Sequence, residues 1–111
     1  MKKIQFILAG TALGFALSVS LPVHASGNYE AGKAKSTTCA GCHGADGVST
    51  VSSFPKLAGQ NRDYLHQALK DYKAGKRKNP IMSEQAKNLS DADMLDLAKY
   101  FSQQKGLYLK Y

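Results

Sequence analysis

Two cysteines and a histidine stand together in the segment Cys39-Ala40-Gly41-Cys42-His43. Thiols three positions apart lie about one turn apart on a helix, so both can face the same flat ligand. The C-x-x-C-H pattern is typical of sites that attach a haem through two thioether bonds, with the histidine as an iron ligand. We therefore predict that Cys39 and Cys42 bind the vinyl groups of one haem and that His43 is an axial ligand.

Two other sites could contain such a cysteine pair. A thioredoxin-like redox pair needs a βαβ context, and the chain after residue 25 has almost no β-branched or alternating runs. A structural zinc site needs four ligands, usually with a second Cys or His pair, and this chain has only two cysteines. Haem is the favoured interpretation. A disulfide oxidoreductase stays as an alternative that thioether-linked cysteines would exclude.

The second axial ligand is predicted to be Met82. We expect it to lie on a loop just past Pro80, in a stretch without apolar periodicity, and a thioether sulfur opposite a histidine raises the potential of a haem. Met94 is the competing methionine, but it belongs to an apolar stripe typical of a helix facing the core. His66 would give a bis-histidine haem, yet its position beside another apolar stripe predicts a surface or boundary residue.

Residues 48–60 have no sustained periodicity, and we interpret them as a loop that packs on the haem. They include four large apolar side chains: Val48, Val51, Phe54 and Leu57. Leu57 is the residue of this loop that we predict to pack on the haem. Pro55 lacks an N–H but keeps its carbonyl, which is our candidate acceptor for the Nδ1–H of His43. An ordinary loop proline is the alternative reading of Pro55.

The elements that must position these residues are predicted to be helices. The patterns place them at residues 27–35, 61–74, 83–89 and 91–104, with the haem motif between the first two. Asn28, Asn61 and Ser90 are the predicted N-caps, and Gly75 is the predicted end of the second of these helices. Gly32 inside the first helix predicts close approach of another helix.

Residues 1–25 are predicted to be a cleaved secretion signal. Lys2 and Lys3 precede a mostly apolar stretch, and Val23 and Ala25 are the small residues of a cleavage site. Polar residues and glycines make the apolar stretch a poor membrane span. We expect residues 26–111 to form one mono-haem domain in the periplasm.

The net charge predicts the kind of partner. The chain has 15 basic and eight acidic residues, and the signal contains two of the basic ones, which leaves 13 against eight, a net +5. A basic surface can attract nucleic acid, anionic lipid or an acidic protein. For a secreted protein we expect acidic docking surfaces and no nucleic acid. The basic run Lys76-Arg77-Lys78 is the candidate docking region, and a solvated helix end is its alternative explanation.

These residues together resemble the class I c-type cytochromes. The chain is most similar to one half of the bacterial periplasmic dihaem cytochromes or to their small mono-haem relatives, over roughly residues 29–104. The stretches that carry the resemblance are Ala31-Gly-Lys-Ala-Lys35, Cys39-Ala-Gly-Cys-His-Gly-Ala-Asp-Gly47, Phe54-Pro-Lys-Leu-Ala-Gly-Gln60, Tyr64-Leu65, Met82 and Leu89-Ser-Asp-Ala-Asp93.

The resemblance implies an all-α cytochrome c fold of four to five short helices around one covalently attached haem c. It implies His43 and Met82 as axial ligands and the Pro55 carbonyl as the partner of His43. It also implies that the first helix packs on the last through Gly32 and Tyr100 or Phe101. Only one C-x-x-C-H is present, so the chain is either mono-haem or pairs with another chain.

The function that the resemblance implies is electron transfer, without catalysis, between a donor and an acceptor redox protein. Membrane-bound respiratory complexes are among the candidate partners, and the oligomeric state is left as monomer or dimer. The alternative is a cytochrome subunit held permanently by a dehydrogenase or a sulfur-oxidising enzyme. A haem enzyme or gas-binding protein would need an open iron position, against which Met82 argues.

Overall fold

The structure is a computed structural model that describes residues 10–18 and 26–106. Residues 10–18 form neither helix nor strand. Most of the predicted signal and the tail 107–111 lie outside the described residues, so cleavage after Ala25 stays a prediction. Within the described ranges, no helix has the length and apolar character needed to cross a membrane.

The described part of the chain is all-helical, which confirms the predicted fold class. It contains no strand. Its five helices are α1 (Tyr29–Lys35), α2 (Thr37–His43), α3 (Arg62–Ala74), α4 (Pro80–Ala86) and α5 (Asp91–Ser102).

Polar caps start three of these helices where the sequence predicts. The Asn28 side chain accepts a hydrogen bond from the amide of Ala31 at 2.9 Å, and Asn61 accepts one from Tyr64 at 3.0 Å. Ser90 and Asp93 form a capping box at the start of α5. These oxygens satisfy amides that have no partner within the helix, which fixes where each helix begins.

The predicted bounds of α4 are wrong. This helix spans Pro80–Ala86 rather than 83–89, so Met82 lies in its first turn and not on a loop. The Asn79 side chain accepts a hydrogen bond from the amide of Met82 at 3.1 Å. Pro80 suits the first helical position because its missing N–H would have had no partner there. The Asn-Pro pair was the sequence signal for this start.

Helices α1 and α5 cross at Gly32, which confirms the predicted close approach. A Cβ atom at Gly32 would lie 2.0 Å from the carbonyl oxygen of Asp96 and 2.9 Å from the Cβ of Tyr100. The rings of Tyr29 and Tyr100 pack beside this crossing with their centroids 5.3 Å apart. Only glycine allows the two backbones to come this close.

A buried carboxylate also joins α1 to α5. Asp96 is only 7% exposed, and it accepts hydrogen bonds from the Asn28 amide at 2.7 Å and from Lys35 Nζ at 2.6 Å. Lys35 also forms an ion pair with Asp93 at 2.9 Å. The sequence indicated Asp96 only as a charge that suits a helix start, whereas its side chain holds the N-terminal helix in place.

The buried core is small and lies between α3 and α5. Its central cluster consists of Leu65, Leu97, Ala98, Tyr100 and Phe101. The Tyr100 hydroxyl donates a hydrogen bond to the Ala45 carbonyl at 2.9 Å, which ties α5 to the turn that follows α2. Several other apolar side chains of α3 remain only half-buried, and they face a cavity.

Candidate functional site

The haem-motif residues lie on α2, at one wall of this cavity. His43 is the last residue of α2 and is 6% exposed. Cys39 lies one turn earlier in the cavity wall, and burial raises the pKa of its thiol. Cys39 and Cys42 are not joined by a disulfide bond. Cys42 is half-buried but is not among the cavity-lining residues.

A backbone carbonyl fixes the orientation of the His43 ring. The Nδ1 atom lies 2.8 Å from the carbonyl oxygen of Pro55. Because a carbonyl can only accept, the ring donates through Nδ1, and Nε2 keeps its lone pair for a metal ion. The Phe54 ring packs beside the imidazole with a centroid distance of 6.4 Å.

Backbone hydrogen bonds hold the Pro55 loop against α2. The amides of Leu57 and Ala58 donate to the Gly47 carbonyl at 2.8 and 3.2 Å. A Cβ at Gly47 would lie 2.8 Å from both the Ala58 nitrogen and Phe101 Cδ1, and its φ of +82° also favours glycine. The turn at Gly47, which follows the haem motif, thus supports the loop whose Pro55 carbonyl contacts His43.

The cavity has an empty volume of about 820 Å³, including its open side. The apolar face of α3 that the sequence pattern indicates forms one wall of the cavity. Met82 and the core residues of α5 form other walls. The apolar and aromatic residues of the lining are Leu57, Tyr64, Leu65, Ala68, Leu69, Tyr72, Met82, Leu97, Ala98 and Phe101.

The three candidates for the second axial ligand differ in position. Met82 lines the cavity that also contains His43. Met94 is 4% exposed in the core and is not a lining residue. His66 is also outside the lining, and its Nε2 lies 2.7 Å from Asp91 Oδ1 in a contact between α3 and α5. The cavity therefore brings together Met82 and His43 and neither of the alternatives.

The loop 48–60 packs on the cavity only in part. Leu57 lines the cavity, whereas Val48, Val51 and Phe54 are not among its lining residues, and Val51 is 48% exposed. The segment around Val51 is held by the Ser49 hydroxyl, which donates to the Val51 carbonyl at 2.9 Å. A local polar turn therefore decides the position of this valine.

Two basic residues in the lining were not identified as site residues from the sequence. Lys56 enters from the Pro55 loop and Arg77 from the segment after α3. Arg77 donates to the Tyr64 hydroxyl at 3.2 Å, and this contact raises the pKa of its guanidinium. In the sequence, Arg77 belongs to one basic run with Lys76 and Lys78. In the fold, the chain reverses at Gly75, and of the three side chains only that of Arg77 lines the cavity.

The residues of the cavity fit a covalently attached haem. They offer a thiol and an imidazole with a free Nε2 on one helix, a thioether sulfur on another, and apolar walls between them. These are the ligand types and the dry surroundings that a c-type haem requires. No group of three or more His, Cys, Asp or Glu side chains in the described ranges forms a separate metal site.

Comparison with known proteins gives one family and several relatives. A family model described as Cytochrome c matches residues 29–105. The cytochrome c4 of Pseudomonas aeruginosa is 50% identical over 82 residues, which are 74% of this chain and 41% of that protein. Cytochrome c-554(548) of Halomonas halodenitrificans is 40% identical over 83 residues, which cover 72% of this chain and all of that protein.

Two further similarities concern the fold and the kind of partner. The crystal structure of reduced recombinant cytochrome c4 from Pseudomonas stutzeri matches with a TM-score of 0.69 and 46% identity, over 73% of this chain and 47% of that one. A protein named thiosulfate dehydrogenase electron acceptor, from Stutzerimonas stutzeri, is 40% identical over 85% of this chain and 45% of its own length. The chain spans about half the length of the curated cytochrome c4 relatives it matches.

Proposed function

The chain belongs to the cytochrome c family and carries a covalently bound haem c, and from that premise we propose that it transfers electrons as a periplasmic one-electron carrier with His43 and Met82 as axial ligands. Cys39 and Cys42 form the two thioether bonds. The carrier takes its electron from one redox protein and passes it to another. The periplasmic location rests on the signal-like residues 1–25.

The observation that carries this proposal is the position of His43 and Met82 on one apolar cavity. When bound, haem c supplies an iron that gains and loses one electron. The Pro55 carbonyl holds the His43 ring in a single tautomer, which leaves the lone pair of Nε2 to bind the iron. The apolar walls from α3 and α5 would keep water from the haem, and Met82, which lines the same cavity, would hold the iron together with His43 and leave no position for a substrate.

Visible spectra of the protein, made in a host that attaches haem c, would test this function. We expect sharp c-type bands in the reduced form and a weak far-red sulfur–iron band in the oxidised form. Haem bands without the far-red band would remove Met82 as the ligand. A five-coordinate spectrum, or rapid carbon monoxide binding, would favour a catalytic or gas-binding protein. Absence of bound haem would return the two cysteines to thiol chemistry.

Periplasmic location can be tested separately from the chemistry. We expect the haem-stained protein in the periplasmic fraction, with an N-terminus near Ser26. Retention of residues 1–25 on the haem-containing protein would overturn the proposed signal cleavage and leave the axial ligands untouched.

The second candidate function is a subunit that delivers the electrons of one oxidising enzyme. The similarity to a protein named thiosulfate dehydrogenase electron acceptor favours this candidate. A free carrier and an enzyme subunit differ in how long they stay bound to their partner. A free carrier forms weak, salt-sensitive complexes, whereas a subunit stays bound. Elution with a larger chain in size-exclusion chromatography at high salt would favour the subunit, and elution alone the carrier.

A further inference from the structure

Arg77 is held in a defined position at the cavity wall, unlike its basic neighbours. Gly75 has a φ of +74° and ends α3, and the amides of Lys76 and Arg77 then both donate to the Asp71 carbonyl, at 2.9 and 3.1 Å. The chain therefore turns back along α3. This reversal brings the Arg77 side chain alongside α3, within reach of residues from both ends of the helix.

Two tyrosines of α3 fix the guanidinium. Its Nη1 donates to the Tyr64 hydroxyl at 3.2 Å, and its central carbon lies 5.0 Å from the ring centroid of Tyr72. Stacking on an aromatic face suits the flat, weakly hydrated guanidinium better than a lysine ammonium. Tyr64, Tyr72 and Arg77 all line the cavity. The two tyrosines therefore hold the positively charged guanidinium in place at the edge of the cavity.

A cation at this position can pair with a carboxylate of the haem. Haem c is apolar over most of its surface but has two carboxylates, and a carboxylate brought beside apolar walls is costly unless a hydrogen-bonded cation pairs with it. Lys56 and Arg77 are the only Lys or Arg side chains in the described lining. A fork of N–H donors matches a carboxylate in two-point contact, which a lysine cannot provide.

We propose that Arg77, positioned by Tyr64 and Tyr72, pairs with a haem carboxylate and raises the reduction potential of the iron. The potential rises because a fixed positive charge near the haem disfavours Fe(III), which has one more positive charge than Fe(II). Arg77 is therefore a haem-anchoring residue and not part of the docking surface. This inference rests on the proposed function, since it needs the haem in this cavity.

The test compares Arg77→Gln with Lys78→Gln, which removes the same charge from a neighbour outside the lining. Spectroelectrochemical titration of both haem-loaded variants would be done at low and at high salt. We expect Arg77→Gln to lower the midpoint potential at both salt concentrations, because a close pair is screened little. Lys78→Gln should produce a smaller shift that salt abolishes. Equal shifts in the two variants, or no shift in Arg77→Gln, would overturn the proposal.

A second readout reports on the carboxylate itself. Resonance Raman spectroscopy detects the bending mode of the haem carboxylates, whose frequency depends on their hydrogen bonding. We expect this mode to move in Arg77→Gln and to move less in Arg77→Lys and Tyr64→Phe, since these keep the charge but loosen its geometry. An unchanged mode in Arg77→Gln would contradict the pairing. The far-red sulfur–iron band, retained in all variants, would show separately that the proposed function stands.

Discussion

At the scale of single residues, the site depends on how His43 and Met82 are supported. The Pro55 carbonyl orients the imidazole from one side. The Asn79 cap fixes the first turn of α4 and with it the backbone of Met82. A ligand held by a helix start or a backbone hydrogen bond loses little further freedom when it binds iron, which favours a constant coordination in both oxidation states.

Replacement of Met82 by Ala should leave the haem attached and change its ligation. We expect the far-red band of the oxidised protein to disappear and the midpoint potential to fall by a sizeable part of the ~0.8 V range that axial ligands span. The matched control is Met94→Leu, a change of similar volume in the core, which should cost less than about 1.5 kcal/mol of stability and keep the spectrum. Loss of the band in Met94→Leu instead would assign the ligand to Met94.

At the scale of helices, the crossing of α1 and α5 depends on Gly32. We expect Gly32→Ala to lower the free energy of unfolding by about 2 kcal/mol, because the new Cβ would meet the backbone of Asp96 and not a side chain that can move. Urea unfolding of the haem-loaded protein, followed by circular dichroism, would measure it.

Gly41→Ala is the control for this change. Gly41 also lies in a helix, but a Cβ there meets nothing within 4 Å. Alanine at such a position should be neutral or stabilise the protein by up to about 1 kcal/mol, because it restricts the unfolded chain. Similar losses of stability in the two variants would contradict the steric explanation.

The ion pair between Lys35 and Asp93 gives the same crossing a pH dependence. Hydrogen bonding to Lys35 lowers the pKa of Asp93 from 3.8 to about 2. The stabilisation by this carboxylate is therefore complete above about pH 4 and is lost as the pH falls towards 2. The pKa of Lys35 is raised by hydrogen bonds to Asp96 and Asp93, so its contribution is present below its ordinary pKa and is lost only in strong alkali.

Asp93→Asn keeps an oxygen for the Ser90 amide and removes the charge. We expect it to cost about 0.5–1 kcal/mol at pH 7, in the range of a partly exposed ion pair, and nothing near pH 2. The control is the same change in a Lys35→Gln background, where the pH-dependent part should become smaller, because only the hydrogen bonds to Ser90 still lower the pKa of Asp93. A cost that stays constant between pH 7 and pH 2 would disprove the contribution of the charge.

At the scale of the whole molecule, the folded chain surrounds a cavity that it cannot fill by itself. The buried apolar residues in the described part are few, and four of the lining residues, Pro55, Lys56, Tyr64 and Arg77, are exposed. A domain of this size rarely obtains more than about 3–5 kcal/mol from its core alone. The haem therefore completes the core in addition to carrying the electron.

Removal of both thioether bonds should therefore destabilise the fold. We expect Cys39→Ala/Cys42→Ala, purified without haem, to lose its cooperative unfolding transition and part of its helical circular dichroism. Val51→Ala, an exposed change in the loop, should behave as the wild type. A haem-free variant that unfolds cooperatively at the wild-type midpoint would show that the helices are stable without the haem.

The distribution of charge over the molecule predicts how partners approach. Lys76 and Lys78 are exposed beside the cavity, so Lys76→Gln/Lys78→Gln should slow electron transfer with an acidic blue-copper protein at low salt, by roughly tenfold, the low end of electrostatic steering. The effect should vanish at high salt. Stopped-flow measurements would record it.

Lys33→Gln/Lys105→Gln removes the same charge from α1 and from the segment after α5, outside the cavity lining. This control should have a much smaller effect on the rate. Equal effects of the two double variants would assign the steering to the net charge of the protein and not to the surface beside the cavity.

Much of the molecule could be predicted because its signals are local. A capping side-chain oxygen, or a glycine in the left-handed backbone conformation, acts within one helical turn. Neighbouring residues therefore predict the helix starts at Asn28, Asn61 and Ser90 and the end of α3 at Gly75. The C-x-x-C-H segment has both thiols and the imidazole that a c-type haem requires within five positions. The start of α4 is equally local, since Asn79 is its cap and Pro80 its first residue, although the prediction placed this start at residue 83.

The sequence by itself thus determined the starts of α1, α3 and α5, the cofactor and the direction of the main apolar faces, since each depends on residues within a turn or two. The tertiary structure decided what distant segments do to one another. It buried Asp96 against α1, left Val51 exposed, paired His66 with Asp91, and separated Arg77 from its basic neighbours by a chain reversal. The physical reason is that burial and ion pairing depend on segments far apart in the chain, whose contacts no local pattern contains.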